Sequence, residues 1–69
     1  MTFTHAQKKL IRTAAIAAAR ADGHEVLKVR LLADRFTGCL DAKAYCADGS
    51  TFWVAPAEYL FRQTQEAYS

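Results

Sequence analysis

Proline is almost missing from this chain, one in 69 residues, and glycine is scarce at three. A collagen-like repeat or a Pro- or Gly-rich linker needs far more of both. Two cysteines are too few for the disulfide framework of a small secreted scaffold. No run approaches the roughly 20 consecutive apolar residues that span a bilayer. The alanine-rich stretch near the N-terminus is preceded by Lys8 and Lys9 and interrupted by Arg12 and Arg20, which also argues against a signal segment. The chain therefore reads as a complete, Met-initiated protein with no membrane partner.

Catalytic chemistry is equally thin. A catalytic constellation needs a nucleophile, acid or base within reach of an orienting group. His5 falls at the start of a helix and His24 in a turn, where solvent-exposed imidazoles are ordinary. Asp22, Asp34 and Asp48 stand at turn positions that explain them locally, and Glu25, Asp41, Glu58 and Glu66 show no useful pairing. Gly23, Gly38 and Gly49 each fit a turn, so no phosphate-cradling loop or nucleophile elbow is left. The chain is expected not to be an enzyme.

Cys39 and Cys46, if in one extended segment, are about 23 Å apart and on opposite faces, beyond the roughly 7 Å a disulfide spans. Both are expected reduced, Cys46 as a small buried hydrophobe, which fits a cytoplasmic location. His5, His24, Cys39 and Cys46 have the right types for zinc but lack its paired spacings, so neither metal nor cofactor is expected.

What is present is enough to fold: 52% hydrophobic and 23% charged residues predict a packed core rather than disorder. No linker or repeat divides residues 1–69, which read as a single small α+β domain. A domain this short is marginal by itself, and with disulfide and metal set aside, association is the remaining supplement.

Residues Thr4 to Asp22 read as a helix, capped by Thr4 or Thr2 and stopped by Gly23. Its expected core side gathers Phe3, Leu10, Ala14, Ala17, Ala18 and Ala21, with Ile11 at the edge. A second helix runs from Pro56 to about Tyr68, with Leu60, Phe61, Thr64, Ala67 and Tyr68 inward and Tyr59, Arg62, Gln63 and Glu66 outward.

Between them the period shortens to two. Leu27, Val29 and Leu31 alternate with Lys28 and Arg30. Leu40, Ala42, Ala44 and Cys46 alternate with Cys39, Asp41, Lys43 and Tyr45. Phe52 and Val54 alternate with Thr51, Trp53 and Ala55. Ala47-Asp48-Gly49-Ser50 is a hairpin signal, and Gly38 with Asp34 turns the chain earlier. The small residues of the middle strand match the alanine face of the first helix, which predicts a three-stranded antiparallel sheet with two helices on one face, α-β-β-β-α. The competing order makes Glu25 to Phe36 a helix, as in an α-α-β-β-α winged-helix-like arrangement. It would place Leu27 and Leu31 in water.

Two surfaces are candidates for binding. Lys8, Lys9, Arg12 and Arg20, with His5 and Ile16, form a basic helix side that suits nucleic acid or an acidic protein surface, or is merely solvated. The sheet face away from the helices should carry Lys28, Arg30, Lys43, Tyr45 and Trp53, with Val26, Leu32 and Cys39 alongside. Trp, Tyr and Arg are the usual anchors of protein interfaces, and aromatics flanked by cations also stack single-stranded nucleic acid.

The α-β-β-β-α order resembles the double-stranded RNA-binding domain over the whole chain. In that family a basic cluster at the start of the second helix grips phosphates. The matching residues here are Pro56-Ala57-Glu58, so the resemblance implies the fold without that contact. In size and missing chemistry the chain is similar in kind to the small inhibitors that phages and mobile elements use against host defence proteins. The expected function is a protein-binding inhibitor or adaptor acting through the outer sheet face. Nucleic-acid binding through the basic helix is the alternative, and a homodimer through the sheet face is a further expectation.

Overall fold

The computed structural model describes residues 2–67 and orders them as α1 (His5–Ala21), β1 (Val26–Ala33), β2 (Leu40–Cys46), β3 (Thr51–Pro56) and α2 (Ala57–Ala67). The sheet is antiparallel in the order β1-β2-β3. This is the expected α-β-β-β-α arrangement. The helical alternative for residues 25–36 fails, because β1 pairs with β2 from Val26 to Ala33. Among the described residues no helix is long and apolar enough to cross a membrane.

α1 begins where sequence chemistry says it should. The Gln7 N–H donates to Thr4 Oγ1 at 3.1 Å and the Thr4 N–H donates to Gln7 Oε1 at 2.8 Å, a reciprocal capping box. It ends in a Schellman motif: the Gly23 N–H reaches the Arg20 carbonyl, the His24 N–H reaches the Ala19 carbonyl, and Gly23 has φ +91°. A side chain at 23 would be strained there.

The core side of α1 differs from the expectation. Ile11, Ala15 and Ala19 are buried, with Phe3 as foreseen, whereas Leu10, Ala17, Ala18 and Ala21 are exposed and Ala14 is half-buried. The buried stripe is turned by about a third of a revolution, at 100° per residue. The reason lies in the composition: alanines ring this helix, so their spacing carries little information. The isoleucines decide, with Ile11 fully buried and Ile16 packed against the core instead of standing on the solvent side.

The middle strand behaves as expected. Ala42, Ala44 and Cys46 are buried beneath the helices. The flanking strands each carry one irregularity that changes the register. A bulge between Val26 and Lys28 sets Val26 opposite Cys46 and buries it, and leaves Leu27 69% exposed, reversing the expected sides of these two residues. A second bulge leaves Val54 without a partner, and Ala55 pairs with Ala42 in the inner row instead of facing outward. Strict alternation misses both, since an inserted residue shifts every later side chain to the other face.

The β2–β3 hairpin closes through the Cys46 N–H to Ser50 carbonyl bond at 2.9 Å, with Gly49 at φ +88°. Asp48 Oδ1 accepts from the Ser50 N–H and hydroxyl. Pro56 closes β3 rather than opening α2, one residue off the expectation. Ala57 and Leu60 are buried, and the half-buried Phe61 meets Phe3 edge-on at 5.4 Å. Tyr68 and the Ala67 side chain lie outside what the structure describes.

Replacing Ile11 with Ala should cost about 2–5 kcal/mol of stability, since it opens a cavity at the centre of the core. Leu10→Ala should cost well under half as much. Urea melts of the two variants check this, and equal losses would return the core side to the one the alanine spacing suggests.

Candidate functional site

Among the described residues no helix or strand covers the sheet face away from the helices. β1 sets Lys28 opposite Tyr45, Arg30 opposite Lys43 and Leu32 opposite Asp41. β3 sets Trp53 opposite Lys43 and Thr51 opposite Tyr45. Lys28, Arg30, Lys43, Tyr45 and Trp53 are thus brought onto one surface, as their parity implies. Val26 is not among them, being inside, and Cys39 is an exposed residue before β2 rather than part of the strand.

Four of these side chains, all but Arg30, are linked by cation–ring contacts. Lys28 Nζ sits over the Tyr45 ring at 5.2 Å, and Lys43 Nζ lies 5.8 Å from the Tyr45 centroid and 5.4 Å from that of Trp53. Each such contact contributes about 0.5–1 kcal/mol at an exposed site, below the roughly 1.5–2 kcal/mol of rotamer freedom a lysine can lose, so the rings bias the lysines toward a ladder of ammonium and ring without fixing them. Among the described residues no carboxylate forms an ion pair with Lys28, Arg30 or Lys43. Asp41 adds one negative charge at the end of the ladder, half-buried. Trp53 is 58% exposed.

Beside Trp53 an open hollow of about 590 Å³ is lined by Leu32, Asp41, Trp53, Val54, Pro56 and the turn from Asp34 to Phe36. That size falls within the range of ligand and anchor pockets. The turn forming its wall is held by one carboxylate: Asp34 Oδ1 accepts from the Phe36 N–H at 2.7 Å and the Thr37 N–H at 3.1 Å. The Gly38 N–H returns to the Asp34 carbonyl, and the Asp34 N–H bonds the Cys39 carbonyl. Those donors favour the ionised carboxyl and hold Asp34 below its usual range, as the Ser50 hydroxyl and N–H do for Asp48.

Phe36, 97% exposed at the rim of the hollow, was not foreseen as a surface feature. The available signal was a phenylalanine inside an Asp–Gly turn, where turn chemistry accounts for its neighbours but not for it. A second hollow, about 360 Å³, lies on the other side of β3 among Ala18, His24, Phe52, Tyr59 and Gln63, and Trp53 borders it too.

The basic helix residues do not form one exposed patch. Lys9 and Arg20 are exposed with His5, but Lys8, in line with the buried stripe one turn before Ile11, and Arg12, at its edge, are half-buried. Their charged heads reach water only by extending their stems over apolar surface. Among the described residues no group of three or more His, Cys, Asp or Glu is placed to hold a metal ion. No protein-family model, curated protein or solved structure matches this chain.

Because Asp34 and Asp48 titrate lower when folded, their contribution to stability is present above the unfolded-state pKa near 4 and is lost as pH falls through the folded values. Asp34→Asn keeps the accepting oxygen and removes the titration. It should leave stability at pH 7 nearly unchanged and flatten the acid limb of stability against pH. An acid limb identical to that of the unsubstituted chain would contradict this.

Proposed function

We propose that the chain is a non-enzymatic binding protein that occupies a protein partner through the outer sheet face, as an inhibitor or adaptor of the kind phages and mobile elements deploy against host defence proteins. One observation carries the reading: Trp53 stands on a face that no described element covers, on one surface with Tyr45 and three cations, beside a hollow large enough to seat a partner's side chain. Tryptophan, tyrosine and arginine give much contact area for few rotors frozen, which is why interfaces concentrate binding energy in them. The arrangement favours protein over stacked bases. The ring faces already hold lysine ammonium groups, so an approaching partner meets positive charge and ring edges.

Trp53→Ala should weaken binding to the partner captured with the unsubstituted chain by about 2 kcal/mol or more, roughly 30-fold, with the far-ultraviolet circular dichroism unchanged. Unchanged affinity would remove the outer face from the interface, and an unfolded variant would make Trp53 a structural residue.

The basic helix gives the contrasting outcome. Affinity for a mixed-sequence oligonucleotide should be undetectable at low salt. Measurable binding whose log K falls by about 0.7–0.9 per phosphate contact per log unit of salt would favour nucleic-acid recognition instead.

A further inference from the structure

The sheet has two unpaired edges, on β1 and on β3, and they differ. On β3 the hairpin bond from Cys46 to Ser50 fixes the alternation, so Thr51 and Trp53 direct their backbone groups away from β2. The Val54 bulge follows at once, and Pro56 has no N–H to offer. Natural sheets end an edge with these two devices.

On β1 the bond from the Asp34 N–H to the Cys39 carbonyl sets the phase. Leu32, Arg30 and Lys28 exchange hydrogen bonds with β2, so the N–H and C=O groups of Val29, Leu31 and Ala33 point outward. From Lys28 to Ala33 the strand runs without irregularity. Among the described residues no backbone bond outside the sheet takes up those three N–H groups.

Cations predominate beside this edge, with Asp41, opposite Leu32, as a carboxylate on the same outer face. Lys28 and Arg30 stand on its outer side. Above it, the flank of α1 bearing Ala18 and Asp22 borders the hollow shared with β3 and α2. The opposite flank, at Arg12, is therefore on the β1 side, while Lys9 and Arg20 face solvent. The sequence-adjacent carboxylates stand off the two ends: Glu25 precedes the strand, and Asp34 follows it with Oδ1 engaged by backbone N–H groups. On the inner side the edge is apolar, Val29 buried and Leu31 half-buried.

A second copy suits this edge poorly. Antiparallel pairing centred on Arg30 sets arginine against arginine, and pairing centred on Val29 sets Lys28 against Arg30. Centring on Leu31 sets Lys28 against Asp34 and so relieves the strand charges, leaving only the two Arg12 flanks of α1 to meet.

We infer that the β1 edge takes up an extended segment of a protein partner in which acidic and apolar side chains alternate. The acidic residues lie beside Lys28 and Arg30, and the apolar ones beside Val29 and Leu31 under α1. Main-chain bonds to Val29, Leu31 and Ala33 supply the attachment, and the flanking cations select the sign of the added strand. The inference rests on the reading of the chain as a protein-binding module and names the partner's conformation and charge.

Amide hydrogen exchange of the ¹⁵N-labelled chain, with a short synthetic peptide alternating Glu and Val and with its Lys–Val counterpart, tests it. The Glu–Val peptide should slow exchange at Val29, Leu31 and Ala33 by about tenfold or more, leave Thr51 and Trp53 unchanged, and lose its effect as salt rises to about 0.5 M. The Lys–Val peptide should do nothing to the native chain but should protect the same amides in the Lys28→Glu/Arg30→Glu double variant. Equal protection by both peptides, or none at about 1 mM Glu–Val, overturns the inference. So does protection of these amides that grows with protein concentration alone, the mark of a second copy, or protection by an oligonucleotide. A Glu–Val response confined to Lys43, Tyr45 and Trp53 overturns strand addition while leaving the outer-face reading intact.

Discussion

The small-residue core shared by α1 and the sheet sets the terms for everything else in this molecule. Ile11, Ala15 and Ala19 belong to the same buried cluster as Ala42, Ala44 and Cys46 of the central strand. Small residues on both sides let the backbones come near, so the inner row of the central strand has no space for bulk. The large and charged members of the strand, Lys43 and Tyr45, take the other face by parity. Ile11→Ala and an enlarged residue at 42 or 44 would disturb the same seam from opposite sides, one by a cavity and one by overpacking.

A core built on alanine buries little apolar area per residue, and in a chain of this size that leaves a narrow stability margin. Ile11 and Leu60 are the large side chains buried completely. Phe3 is buried and Phe52 and Phe61 pack against the core, but three large aromatics lie outside it: Trp53 on the outer face, Phe36 on a turn, Tyr59 on the exposed side of α2. Lysines seated on the rings of Tyr45 and Trp53 partly offset the cost of leaving them in water. The proposed partner surface is thus the structural counterpart of the small-residue core, since bulk excluded from one face of the sheet collects on the other.

Much of this could be read from the residues. The alternation in Leu40–Cys46, the Asp48-Gly49 hairpin and the Thr4 and Gly23 helix ends are local signals, and each depends on neighbours a few positions away. The outer row of Lys28, Arg30, Lys43, Tyr45 and Trp53 followed from the same parity. What escaped was non-local or cumulative. The side of α1 that faces inward depends on how two isoleucines compete for the sheet, and a ring of alanines does not report it. The bulges at Leu27 and Val54 depend on how the flanking strands fit β2, so Val26, Leu27 and Ala55 took the opposite side from a strict count. Phe36 and the hollow beside it arise where the Asp34 turn meets the end of β3, two segments far apart in the chain.

The face opposite the helices is the centre of this account, and Trp53 is the only tryptophan in the chain. Acrylamide quenching of its fluorescence in the folded protein therefore reads the accessibility of that face directly. The indole, 58% exposed, should be quenched well above the level of a buried tryptophan though below that of free tryptophanamide, with an emission that unfolding in urea shifts only modestly. A blue-shifted, shielded indole that becomes accessible only on unfolding would place Trp53 inside the protein and contradict the account.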